Sequence, residues 1–469
     1  MSGERDDGTA AYDITLANVS APVIHEAEKK AELFLPLGSL YLISAWERAG
    51  WRVDFRDYQL EPGTAANLLD PNSLADFLEG SAPIVGISCM VSMLPFVVLG
   101  TKRFKERHPE TRVVLGGPGP SGVAKALVES MPWIDVVARG EGEITAVELV
   151  RALKDGDGLS GVKGITYRSD GRVCENPPRP RVTNLDDLPM PAYHAVDLSR
   201  YTNFAVVTGR GCPFNCSFCD VGPLWENRVL LRGVGGVLKE LETLRKTYGV
   251  KRVSFADDTF TLQRSRTEAL MRGVAPLGLS WSCLSRIDKL DEDLLAKMAS
   301  AGCDAIFFGI ESGSDKVLAK IDKRFTIAEA TEKVELTAKY IKQIITSYIW
   351  GFPFETMDDF KSTIFSILSM WHLGAMAGLK LLSPMPLSRL GIEFRDRIEF
   401  SEKLCSVFAS LGNITPGMSG KRADIPREFK EIIGRYPDVF EGFYFIRSDG
   451  LEEKARYLEK FCEKFKIAV

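Results

Sequence analysis

The sequence predicts an α/β protein made of a Rossmann-like N-terminal domain, a partial (β/α)6 barrel and a small C-terminal helical region. Three observations predict it. Over residues 1–155, short β-branched apolar runs alternate with amphipathic stretches, as in a parallel sheet covered on both faces. Residues 156–200 are dense in turn formers and prolines, which marks a linker. Over 201–395 the strand–helix rhythm resumes, each interval being long enough for one helical crossover.

In the first unit the strands are expected at 12–16, 52–56, 84–89, 112–115 and 134–138. Helices are expected between them at 38–49, 94–107, 121–130 and 143–153. The linker carries Gly156-Asp157-Gly158, Pro177, Pro178, Pro180 and Asp186-Asp187-Leu188-Pro189-Met190-Pro191, with a short hairpin expected around 164–167. Barrel strands centre near Val206, Ser254, Ser282, Phe307, Tyr348 and Leu381, and a barrel places its chemistry at the C-terminal ends of such strands. Residues 396–469 are aromatic and charged, finish in a helix expected over 451–466, and contain no catalytic motif.

Composition narrows the function classes. The 469 residues hold 59 Lys+Arg against 63 Asp+Glu, a net charge of −4, so the dense basic field of a general nucleic-acid binder is missing. No apolar run reaches the ~18–20 residues of a membrane span. The opening Met1-Ser2-Gly3-Glu4-Arg5-Asp6-Asp7 is polar and acidic, unlike a secretory signal, and a cytoplasmic location is expected. Three of the nine cysteines fall within eight residues, which in such a chain points to metal or redox chemistry rather than disulfides.

That cluster lies in Gly209-Arg210-Gly211-Cys212-Pro213-Phe214-Asn215-Cys216-Ser217-Phe218-Cys219-Asp220, just after the first barrel strand. The spacing Cys-x3-Cys-x2-Cys lets one loop set Cys212, Cys216 and Cys219 at three corners of a 4Fe-4S cube. A fully protein-ligated cube takes four thiolates, so one iron is left open to a small molecule. Structural zinc and chance clustering are the competing readings. Zinc needs a fourth Cys or His, and the candidates are distant in sequence.

On these residues the chain resembles the radical S-adenosylmethionine (SAM) superfamily over roughly 200–395. The resemblance implies that SAM chelates the open iron through its amino and carboxylate groups and is cleaved to a 5′-deoxyadenosyl radical. It implies further roles at successive strand ends. Phe218 packs on adenine. Asp257, in Phe255-Ala256-Asp257-Asp258-Thr259-Phe260, meets the SAM amine, with helix capping as the competing role for Asp258 or Thr259. Arg286, in Ser285-Arg286-Ile287-Asp288, meets the SAM carboxylate, with a salt bridge to Asp288 or Asp291 as its alternative. Glu311, in Phe308-Gly309-Ile310-Glu311-Ser312-Gly313, meets the ribose, with capping of the next helix as its alternative, and Ser312 beside it is a further SAM contact. Gly351, in Ile349-Trp350-Gly351-Phe352-Pro353-Phe354-Glu355-Thr356, and Pro384, in Ser383-Pro384-Met385-Pro386, lie on the adenine side.

The N-terminal unit carries Leu35-Pro36-Leu37-Gly38-Ser39-Leu40-Tyr41, Gly86-Ile87-Ser88-Cys89-Met90, Val114-Leu115-Gly116-Gly117-Pro118 and Arg139-Gly140-Glu141-Gly142-Glu143. In this order they resemble the cobalamin-binding domain that precedes the radical SAM barrel in one large subfamily. The implied cobalamin contacts are Leu37, Gly38, Ser88, Met90, Gly116, Gly117, Pro118, Gly140 and Glu141. The Asp-x-His-x-x-Gly pattern of domains that ligate cobalt from below is missing. None of His25, His108, His194 and His372 fits it, so no histidine ligand to cobalt is expected; a domain that has lost cobalamin is the alternative. The remaining cysteines, Cys89, Cys174, Cys283, Cys303, Cys405 and Cys462, read as small buried hydrophobes, with Cys283 the one placed on a barrel strand to face the site.

The resemblance implies a cobalamin-dependent radical SAM methyltransferase acting on an unactivated carbon of a small molecule. In that scheme one SAM methylates cob(I)alamin and a second supplies the hydrogen-abstracting radical. An external electron donor such as flavodoxin or ferredoxin is expected. Cyclisation, oxidation or rearrangement with the same cofactors is the alternative outcome, and a non-catalytic cobalamin sensor is the rival from another class.

Overall fold

The computed structural model describes residues 12–21, 23–25, 30–63, 70–401 and 426–465. The first sheet contains β1 (Ile14–Val19), β2 (Val53–Asp57), β3 (Ile84–Cys89), β4 (Arg112–Gly116), β5 (Val136–Ala138), β6 (Ile165–Ser169) and β7 (Arg172–Glu175), in the order β2-β1-β3-β4-β5-β6-β7. Its first five strands are parallel. Ile84, Val85, Gly86, Ile87 and Cys89 of β3 and Val113, Val114 and Leu115 of β4 are apolar and buried, as a strand covered on both faces requires. The reversal of strand order between β1 and β3 is a topological switch point, where such sheets open a crevice at their carboxyl ends.

Helices α1 (Leu37–Arg48), α2 (Leu94–Arg107), α3 (Ala124–Ser130) and α4 (Gly142–Asp155) cover this sheet. The hairpin expected inside the linker is β6–β7, which pairs antiparallel with β5 and extends the sheet. Its turn is Asp170-Gly171, both at positive φ, a sequence that favours a tight hairpin. The expected helix over 121–130 forms as two pieces, Pro118–Ser121 and Ala124–Ser130.

The second sheet contains β8 (Ala205–Val206), β9 (Arg252–Phe255), β10 (Ser280–Ser285), β11 (Cys303–Glu311), β12 (Gln343–Trp350) and β13 (Met376–Leu381), paired in that order and parallel throughout. Its main helices are α5 (Val234–Lys246), α6 (Arg264–Val274), α7 (Glu292–Ser300), α8 (Ile327–Ala338) and α9 (Met357–His372). Thr326 with Glu329, and Thr356 with Asp359, form capping boxes that fix where α8 and α9 begin.

Two hydrophobic cores run through the molecule. One joins the α1/α4 face of the first sheet to the barrel wall; the other lies under α2 and α3. The C-terminal α10 (Arg427–Arg435) and α11 (Leu451–Phe465) divide between them. Phe429 and Ile433 of α10 enter the second core, and Leu451 of α11 enters the first. The C-terminal region is therefore a strap over both units.

Candidate active site between two strand-end platforms

The cluster loop begins at the short pairing of Gly209–Arg210 with Leu230–Leu231. Gly211 turns the chain at φ +100°, a backbone that favours glycine. Cys212, Cys216 and Cys219 follow as free, half-buried thiols. The Val221 amide donates to Cys219 Sγ at 3.4 Å, and the Thr259 hydroxyl lies 3.8 Å from Cys212 Sγ. Burial pushes the Cys219 thiol up to about 12 and raises Cys212 too, the latter opposed by the Phe214 amide and Thr259. Burial thus favours the thiol form of Cys212 and Cys219, which a bound metal would oppose.

Among the described residues no three His, Cys, Asp or Glu side chains converge on a single ion. A mononuclear zinc site needs a fourth Cys or His, whereas a cube left open at one iron takes three thiolates. The donor set fits a three-thiolate cluster.

Around this loop the strand ends gather the expected SAM residues, with differences. Phe218 stands edge-on to Phe352, their centroids 6.2 Å apart. Asp257 is buried and accepts from the Thr208 amide at 2.6 Å and from the Thr208 hydroxyl. Burial raises its pKa, with Thr208 opposing. Its carboxylate is thus taken up in holding the end of β8. Asp258, half-buried beside Cys212, accepts from the Gly211 amide and is likewise raised by burial.

Arg286 donates to Asp288 at 2.8 Å and to the Lys323 carbonyl at 2.7 Å, the salt bridge named as its alternative role. Its guanidinium also lies 3.8 Å from the centroid of Phe214, in the cluster loop, a cation–π clamp. Glu311 sits at φ +75°, rare for a non-glycine residue. It accepts from Lys323 Nζ at 3.2 Å and from the Ser347 hydroxyl at 3.4 Å.

Ser312 is buried and shares its hydroxyl with Thr363 and the Ser314 amide, so it organises the loop. Gly351 is buried under Leu381 and Leu451 and donates to Glu355. Pro384 is buried. Cys283 shares the inaccessible face of Trp281, whose indole bonds the Ala301 carbonyl towards the helices; it does not face the lumen.

The second platform is the carboxyl edge of the first sheet. Met90 is 53% exposed although apolar. A Cβ placed on Gly38 or Gly140 would meet no atom within 4 Å, and on Gly116 only Ala138 Cβ at 3.9 Å. Gly117, at φ +94°, crosses close to Cys89 and Ser88. Ser88 is half-buried, Leu37 buried and Pro118 exposed. Room over small residues beside an exposed apolar side chain fits a large planar ligand. Glu141, by contrast, is committed: it accepts from the Val182 amide and from Arg210, each at 2.8 Å. His108 and His194 pair with Glu79 and Glu47, and His372 ends α9, at the far end of the barrel from the strand ends. Cys405 lies outside the described residues, as does the opening segment over 1–11.

Arg210 joins the two platforms. It bonds Glu141 at 2.8 Å and Glu143 at 2.5 Å, and its guanidinium lies 5.3 Å from the Tyr41 centroid. Sequence reasoning quoted it inside the cysteine motif and gave it no role; its partners are 67 and 69 residues away. Lys323 was also missed, since nothing around Asp322-Lys323-Arg324 forms a motif that was read. Gly122 and Pro386 make a further contact between the units, as a Cβ on Gly122 would lie 3.2 Å from Pro386 Cγ.

The family model of the radical SAM superfamily matches residues 206–367, and that of the B12 binding domain matches 29–150. The chain is 34% identical over 336 residues to the uncharacterized methyltransferase PH0819 of Pyrococcus horikoshii, covering 70% of this chain and 72% of that protein. It is 27% identical to the anaerobic magnesium-protoporphyrin IX monomethyl ester cyclase of Rubrivivax gelatinosus, over 75% of this chain and 64% of that one. Among solved structures, the radical SAM methyltransferase TsrM of Kitasatospora setae shares the fold with a TM-score of 0.67 at 19% identity, over 96% of this chain and 88% of that chain. With the two domain matches in order and the two strand-end platforms face to face, the chain belongs to the cobalamin-binding radical SAM enzymes.

Proposed function

We propose that this enzyme transfers a methyl group from SAM, by way of cobalamin, to an unactivated carbon of a small molecule. The observation that carries the reading is the stitching of the two platforms by Arg210, which fixes the glycine-lined edge of the first sheet against the cluster loop. When bound, the cluster and SAM supply hydrogen abstraction, and cobalamin supplies the methyl carrier. The similarity to the methyltransferase PH0819 over most of both chains supports methylation.

The chain's own residues hold and orient. Cys212, Cys216 and Cys219 would hold three irons of the cluster, and Phe218 would cover adenine. Asp258, rather than the committed Asp257, meets the SAM amine, and Arg286 meets the SAM carboxylate while clamping Phe214. Glu311, oriented by Lys323 and Ser347, accepts from the ribose. On the other platform Leu37, Gly38, Ser88, Met90, Gly116, Gly117, Pro118 and Gly140 would line cobalamin, with no histidine among them. Glu141 acts indirectly, through Arg210.

The test is incubation of the reconstituted enzyme, a reductant and substrate candidates with methyl-labelled SAM. Label in the product supports the proposal. The cyclase likeness favours one second reading, reaction without methyl transfer; product formation with no label establishes that reading instead.

A further inference from the structure

The strand β13 reads Met376-Ala377-Gly378-Leu379-Lys380-Leu381. Ala377, Leu379 and Leu381 are buried, whereas Met376 and Lys380 are exposed and Gly378 is intermediate. By this alternation Lys380 stands on the concave face near the carboxyl end of the sixth strand. Its register partner is Ile349, and Gly378 pairs with Ser347, whose hydroxyl bonds Glu311. Lys380 is therefore in the barrel lumen, on the far side of Glu311 from the cysteines' loop.

The other cations named around the strand ends each have a hydrogen-bond or ion-pair partner within the protein. Arg210 is bound to Glu141 and Glu143, Arg232 to Glu240, Arg266 to Thr208, Arg286 to Asp288, and Lys323 to Glu311. Lys380 has no hydrogen bond or ion pair among the described residues. Its nearest electrostatic influence is Glu311, which already pairs with Lys323. The concave wall desolvates the ammonium and pushes it below the ordinary lysine range, with Glu311 opposing. A partly screened cation whose neighbouring carboxylate is already paired with Lys323 is complementary to an anionic ligand.

We infer that Lys380 is the anion-recognition residue of the substrate site, and that the substrate carries a carboxylate or phosphoryl group. The inference rests on the reading of the chain as a radical SAM enzyme and deepens it by naming the substrate class.

The test uses the full chain with cluster and cobalamin loaded. A trace of acetic anhydride acetylates accessible lysines, with and without SAM, and peptide mass spectrometry reads each site. The probes are phenylacetate, phenyl phosphate and neutral phenylacetamide at equal ionic strength. Protection of Lys380 by one or both anions in the SAM-loaded protein, reaching about tenfold at ten times the anion concentration that halves the labelling, supports the inference. Which anion protects decides between carboxylate and phosphoryl, while the exposed Lys125 stays unprotected and phenylacetamide has no effect. Lys380→Gln should load iron and cobalt normally yet lose the anion-induced rise in Tm, and Lys380→Arg should keep it. Equal labelling with and without either anion overturns the inference, as does protection by SAM alone, which would give Lys380 to the cosubstrate. Failure of the wild-type protein to form 5′-deoxyadenosine would instead overturn the enzyme reading beneath it.

Discussion

Replacing Arg210 with methionine keeps an apolar stem and removes the guanidinium, with its two ion pairs and its contact with Tyr41. In the native structure the Arg210 side chain is 13% exposed and the Glu141 and Glu143 side chains 7% each, so both ion pairs are shielded from water. Arg210→Met leaves two carboxylates in that shielded space without a cation. Removing one partner of a buried pair costs about 3–5 kcal/mol. Glu141 still accepts from the Val182 amide, which retains part of its satisfaction and places the expected cost near about 3 kcal/mol. The loss falls between two units that still share one hydrophobic core, so the denaturant midpoint should fall without the transition splitting. Denaturant unfolding followed by near-ultraviolet circular dichroism reads the cost. Adding Glu141→Gln and Glu143→Gln to Arg210→Met should recover a large part, because much of the penalty is stranded charge. A single variant costing less than about 1 kcal/mol, or a triple variant no more stable than the single, refutes the argument. With labelled SAM, Arg210→Met should lower methyl transfer by more than it lowers 5′-deoxyadenosine formation.

Three further outcomes follow from the same geometry. Lys454, 1% exposed in α11, donates to the Glu355 carboxylate at 3.1 Å and to its carbonyl. Lys454→Met should cost about 3–5 kcal/mol in denaturant midpoint, and adding Glu355→Gln should restore much of it. Glu441 is raised to about 7 by burial, against Arg395 and with Asp438 and Asp220 adding. The folded state therefore holds more protons than the unfolded one between about pH 4.5 and 7, and stability falls as pH rises through that window. Tm measured at pH 5 and 7.5 should show that fall flattened in Glu441→Gln, and an unchanged slope would count against the assignment. Cys212→Ala, Cys216→Ala and Cys219→Ala should each abolish 5′-deoxyadenosine formation and lower iron content, whereas Cys303→Ala, buried on β11, should leave iron unchanged.

What the sequence showed plainly was periodic and local. All six barrel strand centres, from Val206 to Leu381, fall within observed strands, because each is an apolar run bounded by turn residues. The cysteine loop was legible for the same reason: its chemistry lies within eight residues. The hairpin β6–β7 was placed short. Ser169-Asp170-Gly171-Arg172 is a two-residue turn signal, but the surrounding prolines and glycines drew attention to a linker. Asp257 looked like a ligand because it is a carboxylate at a strand end. Thr208, 49 residues earlier, takes both its oxygens, and no pattern along the chain announces such a partner. Arg210, Lys323 and Glu141 were opaque in the same way: each gains its meaning from residues brought near by the fold. Lys380 left a trace, a lone lysine in an otherwise apolar strand.

The segment between the domains is rich in proline and turn residues, a composition that usually connects units loosely. Here nearly every stretch of it is fastened. Arg181 bonds the carbonyls of Trp225, Arg228 and Arg210 beneath the cluster loop. Asp186 caps the start of α5 through the Gly233 amide. Met190 and Ala192 bond Ser44 and Leu40 of α1. Tyr193 donates to Glu240, which is buried and also pairs with Arg232, itself bonded to Tyr41. A segment held at these points to both units cannot serve as a hinge without breaking several bonds, among them the buried one from Tyr193 to Glu240, each costing on the order of 1 kcal/mol. The spacing of the two platforms is consequently a property of packing. That is the condition under which a group carried on one platform can be delivered reproducibly to a site on the other.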